Sequence, residues 1–167
     1  DYNMLLNIAN ELPDIKIKII SKTFSKIFKN LPKNISIIGY KNITKFRLSD
    51  LEIREIIRKS ICVILPIKNT LQPSGQSVAL QAIACKTPLF INYFDGLWDK
   101  ELFKNNKTCY LIKENSTAKT WAKQIKLFLD EKVNRSHIIA KNAYKIFVKK
   151  EPYNNYLEEW SAILNEN

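Results

Sequence analysis

The 167-residue chain is 46% hydrophobic and 11% aromatic, enough apolar content for one domain with its own core and too much for a disordered segment. Its formal charge of +11 and pI near 9.5 predict a positive surface suited to anionic partners: nucleotides, diphosphates, acidic lipid headgroups or nucleic acid. No run approaches the ~20 apolar residues that span a bilayer, and no signal peptide opens the chain. The chain does not start with Met, so Asp1 reads as an excision point rather than a natural start. Cys62, Cys85 and Cys109 are an odd set, each in or beside an apolar run, which predicts reduced core thiols and a reducing, cytosolic compartment. With His137 the sole histidine and no Cys-x-x-Cys pair, no metal site built from protein ligands is predicted.

Tyr2, Leu5, Ala9 and Leu12 recur at helical spacing until Pro13 closes the first helix. Ile15 to Ile20 alternates and then turns fully apolar, predicting a strand, and Ile35 to Ile38 predicts a second that ends at a Gly39-Tyr40 turn. Ser49-Asp-Leu-Glu52 spells a capping box, in which hydroxyl and carboxylate each satisfy a backbone donor at a helix start. The helix it opens would bury Ile53, Ile56 and Ile57 and leave Glu55, Arg58 and Lys59 in solvent. Ile61 to Leu65, apolar and rich in β-branched residues, reads as a parallel strand covered on both faces.

A loop containing Gly75, one of only three glycines, then leads into a helix predicted from Gly75 to Cys85. Strand, Gly-containing loop and helix N-terminus together suit a phosphate, because the first turn offers unpaired N–H groups and the positive end of the dipole. Past that first turn the residues are small or apolar, apart from Gln81, so the helix should be buried on most sides. Ser74, Ser77 and Gln81 fall at i, i+3 and i+7, a polar stripe that would serve a phosphate above and a ribose diol below. The alternative on spacing alone is a Ser N-cap with a hydrogen-bonded, buried Gln.

Leu89 to Asn92 and Thr108 to Ile112 predict two more strands. Between them, Asp95-Gly-Leu-Trp-Asp99 reads as a turn anchored by Trp98, the other reading being a cleft-lining loop. Ala118, Trp121, Ala122, Ile125, Phe128 and Leu129 form one apolar helical face, with Lys119, Lys123 and Lys126 away from it. The stripe lapses at Asn134-Arg-Ser136. Ile139, Ala143, Ile146 and Phe147 then define a second helix, and Tyr153, Tyr156, Leu157, Trp160, Ile163 and Leu164 a third beyond Pro152. The alternation of strand and helix predicts a doubly wound parallel α/β sheet with a helical tail over about 117–165.

The run Gln72-Pro-Ser-Gly-Gln-Ser-Val-Ala-Leu-Gln-Ala-Ile-Ala-Cys-Lys-Thr-Pro88 resembles the signature of family-four (group 1) glycosyltransferases of the GT-B fold, Glu-x7-Glu followed by Ala-Met-Ala-Cys-Gly-x-Pro. Leu31 to Tyr40, Pro88 to Gly96 and the three-helix tail extend the likeness over nearly all of residues 1–167. The resemblance implies a Rossmann-like, donor-binding C-terminal half, with the acceptor-binding N-terminal half and the first strand absent, and hence a fragment inactive by itself. It implies retaining hexosyl transfer from a UDP- or GDP-type nucleoside diphosphate sugar to a saccharide or lipid-linked acceptor, with no further cofactor. It puts Gln81 on the ribose, Ser74, Gly75, Gln76 and Ser77 on the diphosphate, Gln72 and Pro73 at the donor sugar, and Gly39 and Tyr40 at the nucleobase.

Neither acid of the signature is kept, the interval from Gln72 to Gln81 is one residue longer than the pattern, and no catalytic residue is assigned. An epimerase of the same fold is the nearest rival. A nucleic-acid module is disfavoured because the Lys residues are spread over most elements rather than gathered in one stripe. Peripheral contact with an acidic membrane surface is a third use of the charge.

Overall fold

Strands and helices alternate along most of the chain, as the apolar periodicity requires. The computed structural model describes residues 1–21, 31–38, 48–130 and 133–149. In order these form α1 (Tyr2–Glu11), β1 (Ile17–Ile20), β2 (Ile35–Ile38), α2 (Asp50–Arg58), β3 (Val63–Leu65), α3 (Gln76–Ala84), β4 (Leu89–Asn92), β5 (Tyr110–Ile112), α4 (Ala118–Asp130) and α5 (Val133–Lys149). Gly39, Tyr40 and the third tail helix lie outside the described residues.

The described strands make two parallel sheets, β1-β2 and β3-β4-β5. Parallel strands need crossovers: α3 links β3 to β4, a stretch without helix links β4 to β5, and helices cover both faces of the larger sheet. Side chains alternate across it. Val63 and Leu65, Leu89 and Ile91, and Leu111 pack toward Ala79, Ala82 and Ile83 of α3 and Ala143 of α5. Ile64, Phe90, Tyr110 and Ile112 point the other way, toward Ile8 and Leu12 of α1 and Trp121, Ile125 and Phe128 of α4. Helix α1 also meets the smaller sheet, where Ala9 packs with Ile17 and Ile19.

Several boundaries differ from the expectations. On α1 the buried face is Ile8, Ala9 and Leu12, whereas Tyr2 is 40% exposed. Of the α2 isoleucines only Ile57 is buried. Ile61 precedes β3 and is 67% exposed. Val63 to Leu65 are half-buried because β3 is an edge strand of its sheet, and the strand covered on both faces is the central β4. Helix α3 buries Ala79, Ala82 and Ile83 but leaves Val78 and Ala84 exposed, so it presents one face to the core and one to solvent. Helix α5 starts at Val133, so the polar stretch at Asn134 lies inside a helix rather than between two, and Ser136 is buried.

The capping box forms as predicted. Ser49 N–H donates to Glu52 Oε2 at 2.7 Å and Glu52 N–H to Ser49 Oγ at 3.3 Å. The Ser49 backbone N–H, and secondarily its hydroxyl, hold the Glu52 carboxyl below its usual range. Because the folded pKa is the lower one, the Glu52 carboxylate's contribution is complete above the unfolded-state pKa and is lost as pH falls through the folded value.

Cys62, Cys85 and Cys109 are free thiols. Burial pushes Cys62 and Cys109 up to about 12, and pushes Cys85 upward as well. All three are therefore protonated at neutral pH and poor nucleophiles. Among the described residues no helix is long and apolar enough to cross a membrane, and no group of His, Cys, Asp and Glu is arranged to hold a metal ion.

Candidate functional site

The loop over residues 66–75 leaves the C-terminal end of β3 and delivers the chain to α3. Its last residue, Gly75, is the N-cap of α3 in the left-handed conformation, with φ 74° and ψ 8°. A side chain there would be strained by that φ, and its Cβ would lie 2.9 Å from Leu65 Cδ2 and 3.0 Å from Ile67 Cδ1. Glycine is therefore what lets the helix start tight against the end of β3.

Gly75 has no side chain to cap with, and the first intrahelical bond runs from Ala79 N–H to Gly75 O at 3.0 Å. The N–H groups of Gly75, Gln76, Ser77 and Val78 have no acceptor among the described residues. They form an uncapped, positively polarised helix end at the C-terminal edge of a parallel sheet, where an anionic ligand gains most.

The Ser-cap alternative is thereby overturned. Ser74 lies before the helix, its hydroxyl donating to Gln72 O at 3.5 Å, so the stripe within α3 is Ser77 and Gln81 only. Gln81 is half-buried, one turn below Ser77 on the same face, and its amide makes no hydrogen bond to a described residue. Gln72, Pro73, Gln76 and Ser77 are exposed, and Ser74 and Gly75 are half-buried. The structure thus brings Ser74, Gly75, Gln76 and Ser77 to one helix start, with Gln72 and Pro73 just before it in the chain and Gln81 a turn further into the helix.

Three contacts fix the loop. Asn92, the buried last residue of β4, brackets Ile67: its Oδ1 accepts from Ile67 N–H at 2.7 Å and its Nδ2 donates to Ile67 O at 3.0 Å. Gly96 N–H donates to Thr70 O at 2.7 Å. Asn69 bonds across to the loops after β4 and β5 through Asp95 and Glu114. The turn reading of Asp95 to Asp99 holds: Trp98 packs edge-on against Phe103 with centroids 4.8 Å apart, and Asp99 Oδ1 accepts from the N–H groups of Glu101 and Leu102 at 3.0 Å.

A cavity of about 220 Å³ opens at the ends of β3, β4 and β5 beside the start of α1, lined in part by Lys68, Asn69, Asn92, Lys113, Glu114 and Trp121. None of the candidate donor-site residues named from the sequence lines it. It borders the first half of the 66–75 loop, no residue of α3 lines it, and it carries Lys68 and Lys113, cations that sequence reasoning did not single out. The signal was present in Pro66-Ile-Lys-Asn69, the first half of the same loop.

Parallel strands wrapped by helices, with a cavity and an uncapped helix start at their C-terminal ends, define a Rossmann-like α/β unit of the GT-B type. The chain belongs to the group 1 glycosyl transferases, whose family model matches residues 7–146. No curated protein matches the sequence.

Among solved structures, similarity is found to HepE of Anabaena in complex with UDP-glucose, with 13% identity, TM-score 0.66, 96% of this chain covered and 44% of HepE. A C-terminal domain of a group 1 family glycosyl transferase, LpcC from Francisella tularensis, gives 18% identity and TM-score 0.65 over 89% of this chain and 78% of that one. A glycosyltransferase from Rickettsia africae gives 17% identity and TM-score 0.67 over 99% and 45%. This chain therefore spans less than half the length of HepE and of the Rickettsia protein.

Proposed function

We propose that this chain is the donor-binding half of a glycosyltransferase that moves a sugar from a nucleoside diphosphate sugar to a saccharide or lipid-linked acceptor. The observation that carries the reading is the uncapped start of α3 at Gly75, nearly two turns above Gln81, whose side-chain amide has no partner among the described residues, in a chain of the group 1 family. The N–H groups of Gly75, Gln76, Ser77 and Val78 take the diphosphate. Gln81 meets the ribose hydroxyls, its amide oxygen accepting and its nitrogen donating. Gln72 and Pro73 border the donor sugar. As the glycosidic bond to the diphosphate breaks, negative charge grows on the departing oxygen, and the helix dipole at the Gly75 start stabilises it.

HepE was crystallised with UDP-glucose and with UDP, which makes UDP the first probe here. Calorimetry on the whole protein should show UDP binding, and Gln81→Ala should weaken it roughly 5- to 10-fold, the loss of one or two neutral hydrogen bonds. Binding that Gln81→Ala leaves unchanged would remove Gln81 from the site. Absence of binding to any nucleoside diphosphate would sink the reading itself. Transfer of labelled glucose from UDP-glucose to an added acceptor tests the chemistry.

On this reading the protein works in the cytoplasm, against the acidic inner face of a membrane that carries lipid-linked acceptors. The charge of +11 and three free thiols support that placement. Flotation with vesicles containing anionic lipid should carry the protein upward and neutral vesicles should not; equal behaviour with both would contradict it.

A further inference from the structure

The loop over residues 66–75 contains no helix or strand of its own, yet it sets where α3 begins. Such a segment must borrow its hydrogen bonds from neighbours. Asn69 supplies three with one exposed side chain. Its Nδ2 donates to Asp95 Oδ2 at 3.0 Å and to Glu114 Oε1 at 2.9 Å, and its Oδ1 accepts from Asp95 N–H at 3.0 Å.

Three loops, following β3, β4 and β5, therefore meet at one amide. The chemistry suits only that group. Two carboxylates side by side repel, and a neutral NH2 with two hydrogens can bridge them, while the oxygen on the same carbon fixes the backbone of Asp95. One residue further, Thr70 O is held by Gly96 N–H, and Thr70 Oγ1 accepts from Gln72 N–H at 3.2 Å. The restraint thus passes from Asn69 along the chain to Gln72 and on to Gly75.

We propose that Asn69 is a positioning residue for the donor site: it ties the 66–75 loop to the loops after β4 and β5, and so holds the Gly75 helix start where a nucleoside diphosphate meets it. The inference rests on the donor-site reading above. It goes further in assigning the geometry of that site to an amide that does not touch the ligand.

The test compares Asn69→Ala with the parent in the whole protein by three measurements: melting temperature, hydrogen exchange of the Ile67 and Gly96 amides, which are bonded to Asn92 Oδ1 and Thr70 O, and UDP affinity. The expected result is an unchanged melting temperature, exchange of those two amides at least about tenfold faster, and UDP binding weaker by about tenfold. The double variant Asn69→Asp/Asp95→Asn returns a donor to the other side of the Asn69–Asp95 contact and should recover part of both losses, whereas Asn69→Asp alone adds a third carboxylate and should not. Exchange unchanged by Asn69→Ala overturns the clamp whatever the ligand does. Faster exchange with unchanged UDP affinity overturns its role at the site. A parent protein that binds no UDP and no GDP overturns the donor-site reading and the positioning role with it, while the exchange measurement still decides whether the clamp exists.

Discussion

Replacing Gly96 by alanine is expected to weaken UDP binding by roughly 100-fold while leaving the domain folded, because a shift of about 1 Å in a positioned loop costs on that order. The cause is a close approach of backbones. A Cβ on Gly96 would lie 2.7 Å from the carbonyl carbon of Gln72 and 2.8 Å from Thr70 O, and nearer still to Gln72 O. None of these is the end of a flexible side chain that could rotate away.

The Gly96 side of the contact has little freedom either, since its neighbours Phe94 and Leu97 are buried in the core. The 66–75 loop must therefore lift, breaking the 2.7 Å bond from Gly96 N–H to Thr70 O and displacing the segment that leads to Gly75. Overpacking of this kind costs about 1–3 kcal/mol of stability. Calorimetry with UDP and urea unfolding on the same variant separate the two effects. Full affinity in Gly96→Ala would show that the loop can move without disturbing the donor site.

What could be read from the sequence divides by the range over which each feature is determined. The Ser49–Glu52 box needs only four contiguous residues, and it forms as spelled. The apolar face of α4 needs only a period, and Trp121, Ala122, Ile125 and Phe128 are all buried. The start of α3 was displaced by one residue because the left-handed Gly75 depends on Leu65 and Ile67 lying against it, which Ser74 does not reveal by its type.

Asn69 was silent for a stronger version of the same reason: its partners lie 26 and 45 positions away, and nothing local distinguishes it from any polar loop residue. The lysines of the cavity were hidden by abundance, since Lys68 and Lys113 are two among 27 basic residues, and only the convergence of the ends of β3 and β5 sets them apart. Polar type misled in the opposite direction at residues 134–136. Helix α5 runs through them from Val133 and Ser136 is buried, so a lapse in the apolar stripe does not by itself mark a break.

The largest effect on stability is expected at Phe90, fully buried in the central strand β4. Its ring stacks on Tyr110 with centroids 4.5 Å apart and meets Phe128 edge-on at 5.3 Å, while Tyr110 and Phe128 meet each other at 5.2 Å. Removing the ring therefore loses its transfer free energy, opens a cavity walled by two other rings that strand β5 and helix α4 hold in place, and breaks two aromatic pairs. Phe90→Ala should cost about 3–5 kcal/mol, a large fraction of the roughly 5–15 kcal/mol that stabilises a domain of this kind. Phe90→Leu, which refills most of the volume, should cost less than half as much. Urea unfolding followed by the fluorescence of Trp121, buried in the same cluster, measures both. Because Phe90 faces α1 and α4 while α3 packs on the opposite side of the sheet, the folded fraction of Phe90→Leu should bind UDP as the parent does. A loss of UDP affinity in Phe90→Leu at full folding would mean that the two faces of the sheet are coupled and that the helix start is not an independent site.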